Sequence, residues 1–155
     1  MFEVKEKPRL VERAYLVSVI QREDERLNAL SMVEELEELV ANLGIQVVRK
    51  EVVRTRKTFP GHLLGKGKFE ETIRQVARHN CDVIIFDNEI SPSQQRNWEE
   101  ASKVLVIDRH EIILDVFAER AQTKEASLQV RLARLEYSLP RLRRAWIDRK
   151  PFADV

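Results

Sequence analysis

Four short apolar runs alternate with four helical patterns between residues 14 and about 120, and few architectures accept that order. The run 14-AYLVSVI-20 is rich in β-formers and ends in the polar QREDE. In 31-SMVEELEELVANLG-44, Val33, Leu36, Leu39, Val40 and Leu43 recur at the helical period. Ser31 and Glu34 read as a capping box for that helix, and Gly44 as its stop. A second strand is expected over 45-IQVVRKEVV-53, then a long basic loop to residue 67. A helix follows from about Lys68 to His79, with Phe69, Ile73, Val76 and Ala77 on one face. The unbroken run 82-DVIIF-86 reads as a strand buried on both faces. Ser91, Pro92 and Gln94 open a third helix with an N-cap, a proline at the first position and a closed box. A last short strand, 104-VLVI-107, leads into a helix capped by Asp108 and Glu111. The expectation is an α/β fold: a four-stranded parallel sheet with flanking helices.

Beyond Glu111 no further strand is expected. Ile113, Val116, Phe117 and Arg120 continue a helical face. Leu128, Leu132, Leu135, Leu139, Leu142 and Trp146 then recur at spacings of 4, 3, 4, 3 and 4, a heptad seam. Pro140 is expected to break or kink this helix near its end. The division that follows is an α/β subdomain over 11–110, a coiled-coil-like helical arm over 111–147 and a tail over 148–155. No second helix of similar length follows within these 155 residues. The seam therefore folds back on the α/β body, pairs with another copy through residues 128–146, or receives a further segment.

Three of the four glycines stand in 59-FPGHLLGKGKFEE-71 beside Lys66 and Lys68. The stretch is not a P-loop: three residues separate Gly61 from Gly65, and Gly67 occupies the place of the magnesium-binding hydroxyl. Nor is it a dinucleotide fingerprint, whose third glycine would fall where Glu70 stands. A glycine-rich turn with lysines at a helix start still suits phosphate, because it offers backbone N–H groups, a helix dipole and cations. The alternative is that Gly65 and Gly67 only shape a turn.

The net charge of +1 conceals segregation. Residues 23–38 hold seven acids and one base, 49–68 seven bases and one acid, and 131–150 seven bases and two acids. Two basic segments favour a polyanionic partner, against the plainer reading of solvated helix faces. Arg141, Arg143 and Arg144 form the second cluster, near Trp146, and arginine pairs with phosphate bidentately and stacks on bases. The lone Cys81 excludes an internal disulfide and fits a reducing compartment, and no apolar run approaches a membrane span, so a cytoplasmic location is expected. His62, His79 and His110 have no second ligand at helical spacing, and no catalytic set or metal site is expected.

Three stretches carry a resemblance: 64-LGKGKFEE-71, 82-DVIIFDNEISPSQQRNWEEA-101 and 106-VIDRHEIILDVFAERAQTKEASLQVRLARLEYSLPRL-142. Together they resemble the N-terminal domain of the HflX family of ribosome-associated GTPases. The resemblance implies an α/β subdomain, a long antiparallel helical pair and then a G domain. It also implies docking on the large ribosomal subunit, in the splitting or rescue of stalled ribosomes. These residues hold no Walker A sequence, no N-K-x-D motif and no switch regions. GTP and magnesium are expected only for a G domain, and no cofactor is expected here. On this reading Lys66, Lys68, Arg141, Arg143 and Arg144 contact ribosomal RNA, with Gly65 and Gly67 at the phosphate.

Two other readings stay open. Asp87 and Glu89 end the third strand and Glu23 and Asp24 follow the first, where parallel sheets bind ligands. Such acids could serve a receiver-like signalling domain with Asp87 as its acidic site. The Gly-Lys loop could instead belong to a stand-alone nucleotide-binding α/β domain.

Overall fold

The computed structural model describes residues 11–148, with side chains as far as 137. Four parallel strands stand in the order β2-β1-β3-β4: β1 (Arg13–Ile20), β2 (Gln46–Arg54), β3 (Val83–Phe86) and β4 (Leu105–Asp108). The inner strands are apolar on both faces because helices cover both. Tyr15, Val17, Ile84 and Phe86 meet Phe69, Val76 and Trp98 on one side. Those last three come from α2 (Lys66–Arg78) and α3 (Pro92–Ser102). Ala14, Leu16, Val83 and Ile85 meet Val33, Leu36, Ile112 and Val116 on the other, from α1 (Arg26–Asn42) and α4 (Arg109–Arg120). At the amino edge of the sheet the Asp82 carboxylate accepts the backbone N–H groups of Glu12 and Arg13, tying β3 to the start of β1.

Local caps explain most helix starts. The Ser91 hydroxyl accepts from the Gln94 N–H at 3.1 Å, and the Gln94 side chain accepts from the Ser91 N–H at 2.9 Å. Asp108 caps α4 through the Glu111 N–H. Gly44 takes the left-handed conformation (φ 83°) that ends α1. The box expected at Ser31 and Glu34 does not form, because α1 begins at Arg26 and Ser31 lies inside it. A 3-10 turn, Glu23–Glu25, opens that helix instead. The Glu25 carboxylate accepts the N–H groups of Gln21 (2.9 Å) and Arg22 (2.8 Å). Three acids at this end also suit the positive pole of the helix.

The helical stretch after Glu111 is two helices. Ala121 is extended, and Thr123 caps α5 (Lys124–Asp148) by accepting the Ala126 N–H at 3.0 Å. Of the helical face read over Ile113, Val116, Phe117 and Arg120, Val116 is buried and Phe117 is 54% exposed, while Ile112 and Leu114 are buried beside it. α5 runs back antiparallel along α4. The Tyr137 hydroxyl donates to the buried Asp108 carboxylate, the Tyr137 and His110 rings lie 4.5 Å apart, and Arg134 pairs with Asp115 at 3.0 Å. α5 continues through Pro140, which does not end the helix. Leu128, Leu132 and Leu135 stay exposed, so this part of the seam is not buried on the α/β body. Leu139, Leu142 and Trp146 lie outside the residues with described side chains.

Candidate nucleic-acid interface

The basic loop between β2 and α2 is built, not slack. Phe59 and Leu63 exchange backbone hydrogen bonds, 2.9 Å from the Leu63 N–H and 3.4 Å in return. Helix α3 holds the loop from below: Asn97 donates to the Gly61 carbonyl and the Trp98 indole to that of His62, both at 3.0 Å. His62 stacks on Phe69 at 3.8 Å, and burial pushes its pKa down. Leu63 is buried in the left-handed region (φ 71°), a conformation costly for a branched side chain that these contacts hold in place.

This support delivers Gly65 as the N-cap of α2, two residues earlier than expected, so Lys66, Gly67 and Lys68 make up the first turn. No side chain caps this end and the first turn holds no acid. Lysines at the positive pole oppose the helix dipole, so the local sequence favours an anion over helix stability. Lys68 is partly offset by Glu71 at 3.3 Å, and Lys66 is exposed with no ion pair among the described residues. Arg56 and Lys57, earlier in the same loop, are also exposed, Lys57 lying 5.4 Å from the Phe59 ring centre. Neither Gly65 nor Gly67 has positive φ, so neither is demanded by the turn itself. A Cβ at Gly67 would meet nothing within 4 Å, and one at Gly65 would touch the Phe59 ring at 3.6 Å.

Arg141, Arg143 and Arg144 belong to α5, but their side chains lie outside the described residues. Their backbone has a definite address. Tyr137 docks at Asp108, on the carboxyl edge of the sheet where the β2–α2 loop also emerges. The helix continues eleven residues past Tyr137, about 16 Å at 1.5 Å per residue. Both basic segments thus belong to the same end of the fold.

The acidic alternative occupies the crevice between β1 and β3, where the strand order reverses. An open cavity of about 400 Å³ is lined there by Ser18, Asp24, Asn28, Met32, Asp87 and Asn88 among others. Asp87 and Asn88, at its β3 side, are already engaged. Asp87 binds the Arg109 Nε at 2.6 Å, and the same guanidinium donates to the Met32 carbonyl at 2.7 Å. Asn88 exchanges two hydrogen bonds with the Val19 backbone. Asp87 is committed to holding β3, α4 and α1 together, and among the described residues no three potential ligands converge. Nothing in the sequence announced Arg109 as this bridge, since its partners lie 22 and 77 residues away.

Comparison with known proteins adds identity to this geometry. Residues 31–118 match the family model described as GTP-binding GTPase N-terminal, and residues 120–150 match the GTP-binding GTPase Middle Region. The GTPase HflX of Akkermansia muciniphila is 49% identical over 152 residues, covering 97% of this chain and 35% of that protein. The GTPase HflX of Escherichia coli is 36% identical over 135 residues, covering 87% of this chain and 31% of that protein. The chain spans about a third of the curated relatives it matches. A GTP-binding protein from the archaeon Sulfolobus solfataricus, solved with GDP, aligns with 92% of this chain and 42% of its own. Its TM-score is 0.57 at 19% identity, a likeness of fold. By the match of its larger part to the N-terminal family model and of its last helix to the middle region, the chain belongs to the HflX family, as the N-terminal part of such a protein.

Proposed function

We propose that this chain is the ribosome-docking part of an HflX-type GTP-binding protein, acting in the cytoplasm during splitting or rescue of stalled ribosomes. Its partner is the large subunit, bound through ribosomal RNA phosphates. GTP and magnesium belong, on this reading, to a G domain and not to these residues. The observation that carries the proposal is the uncapped, acid-free first turn of α2, which presents Lys66 and Lys68, with Arg56 and Lys57 exposed in the loop that leads to it. Arg141, Arg143 and Arg144 extend the same end along α5. The reading as a stand-alone nucleotide-binding domain has less support, because the one crevice at the strand reversal is lined by acids that repel phosphate. A receiver-like role is likewise disfavoured, since Asp87 is held by Arg109.

Cosedimentation with large subunits across a salt series tests the proposal. Binding should weaken steeply with salt, because each neutralised phosphate releases counterions. Replacing Lys66 and Lys68, or the three arginines, with alanine should lower affinity and flatten the salt slope by about one unit per lost contact. Glu38→Gln on the acidic face of α1 should change neither. Salt-independent binding, or wild-type affinity in both basic variants, would refute it.

A further inference from the structure

The sheet has two edges, and they are treated differently. Beside β4, α5 packs on α3 and α4. On the other side, β2 has no strand paired along its outer edge among the described residues. Nine residues long, it is an invitation to another strand unless something deters one.

Its backbone groups can be assigned from the pairing with β1. The Thr55 N–H donates to the Ile20 carbonyl and Val53 registers with Val19. By alternation, Lys50, Val52 and Arg54 turn their N–H and C=O groups outward. Among these, the Val52 carbonyl accepts a long bond, 3.3 Å, from Arg26.

The side chains repeat their chemistry about Lys50. Arg49 and Glu51 flank it, register with Tyr15 and Val17, and so lie on the α2 face together. We propose that β2 is a self-association surface, on which the β2 strand of a second copy of this chain pairs antiparallel about a twofold axis through Lys50. In that register each Arg49 stands opposite Glu51 of the other copy, giving two cross-strand ion pairs on one face. The bulge between Ala14 and Tyr15, which leaves Val48 without a partner in β1, then brings Val47 opposite Val52 of the other copy, both on the α1 face. The only like-charged pair is Lys50 with itself, and each lysine already has Glu37 at 2.5 Å. Beside the edge, Leu30 lines a groove of about 150 Å³ with Lys50, Glu51 and Val52, and Leu27 one turn earlier on α1 is 82% exposed. These leucines supply apolar surface for the second copy to cover.

Edges are guarded by charges, proline or bulges. β2 does carry Lys50 and a bulge, but Glu37 already pairs with Lys50 and the bulge keeps Val47 in register with Val52 of a copy. Here the signs are mirrored, so a copy of the strand is the complement that fits. The exposed leucines of α5 carry no such argument, since nothing among the described residues says what covers them. This inference is independent of ribosome binding.

Sedimentation of the chain over a range of concentrations should show a reversible dimer. Glu51→Arg should raise the dimer dissociation constant at least tenfold, and the charge exchange Arg49→Glu with Glu51→Arg should restore it. Lys50→Cys gives a readout independent of those variants. Facing residues of a hydrogen-bonded antiparallel pair lie about 5.5 Å apart at Cα, within disulfide reach, so mild oxidation should yield a covalent dimer. Arg54→Cys, four residues from the axis, should not cross-link, and the native Cys81 is buried. A chain monomeric throughout, a dimer indifferent to Glu51→Arg but lost with Leu132→Glu, or no cross-link at position 50 would each overturn the proposal.

Discussion

Removing one oxygen from Tyr137 should loosen α5 without unfolding the body. The Asp108 carboxylate is 1% exposed and accepts the N–H groups of Ile90 and Glu111, each at 3.2 Å, besides the Tyr137 hydroxyl. A hydrogen bond to a charged group contributes about 1.5–3 kcal/mol. In Tyr137→Phe the ring still packs on His110 and Asp108 keeps both backbone donors, so no buried charge is orphaned. The loss should fall at the lower end, about 1.5–2 kcal/mol, a shift of roughly 10- to 30-fold in the equilibrium for undocking α5. Native-state hydrogen exchange would locate it: amides of α5 near Arg131 and Arg134 should lose that much protection, while those of Ile84 and Ile85 in the central strands keep theirs. Asp108→Asn should be worse and global, because its amide would turn N–H groups toward the Ile90 N–H. If α5 protection in Tyr137→Phe stays within about twofold of wild type, the argument that this bond seats the helix is wrong.

Two further outcomes are expected. Gly67→Ala should raise the urea midpoint, since a helical Gly→Ala change contributes about 0.5–1 kcal/mol and the added Cβ meets nothing, yet it should weaken subunit binding by placing a methyl where phosphate approaches. Unchanged binding would move the contact elsewhere. The Glu25 carboxyl is held below its ordinary value of 4.5 by the N–H groups of Arg22 and Gln21, so its contribution is present above that pH and lost as pH falls through the lower folded value. Stability of Glu25→Gln should therefore fall less steeply than wild type between about pH 5 and 3, and superimposable acid limbs would contradict this.

What the sequence disclosed was mainly local chemistry. Ser91 with Gln94 and Asp108 with Glu111 satisfy helix-end donors within three residues, so nothing distant can contradict them. Ser31 and Glu34 had the same spacing and failed, because acids at 23–25 open the helix one and a half turns earlier. Thr123 was a legible cap hidden inside a persuasive apolar period. The glycine-rich loop misled differently: its left-handed residue is Leu63 and none of its glycines, held there by Asn97 and Trp98 on another helix. In α5 the apolar stripe was plain, but docking is performed by Tyr137 and Arg134, off the stripe. Pair partners 20 to 80 residues apart, such as Arg109 with Asp87 and Met32, leave no periodic trace.

The attachment of α5 also sets a mechanical precision. A rod fixed near Tyr137 converts angle into displacement: Arg144 stands seven residues farther on, about 10 Å along the axis, so a tilt of about 10° moves its backbone by roughly 2 Å. That is enough to stretch a guanidinium–phosphate hydrogen bond well past its normal length. If the proposed RNA contacts of Arg141, Arg143 and Arg144 hold, their placement is therefore set at the fulcrum, by a tyrosine, a buried aspartate and one ion pair. Substitutions there should blur the aim of residues they never touch.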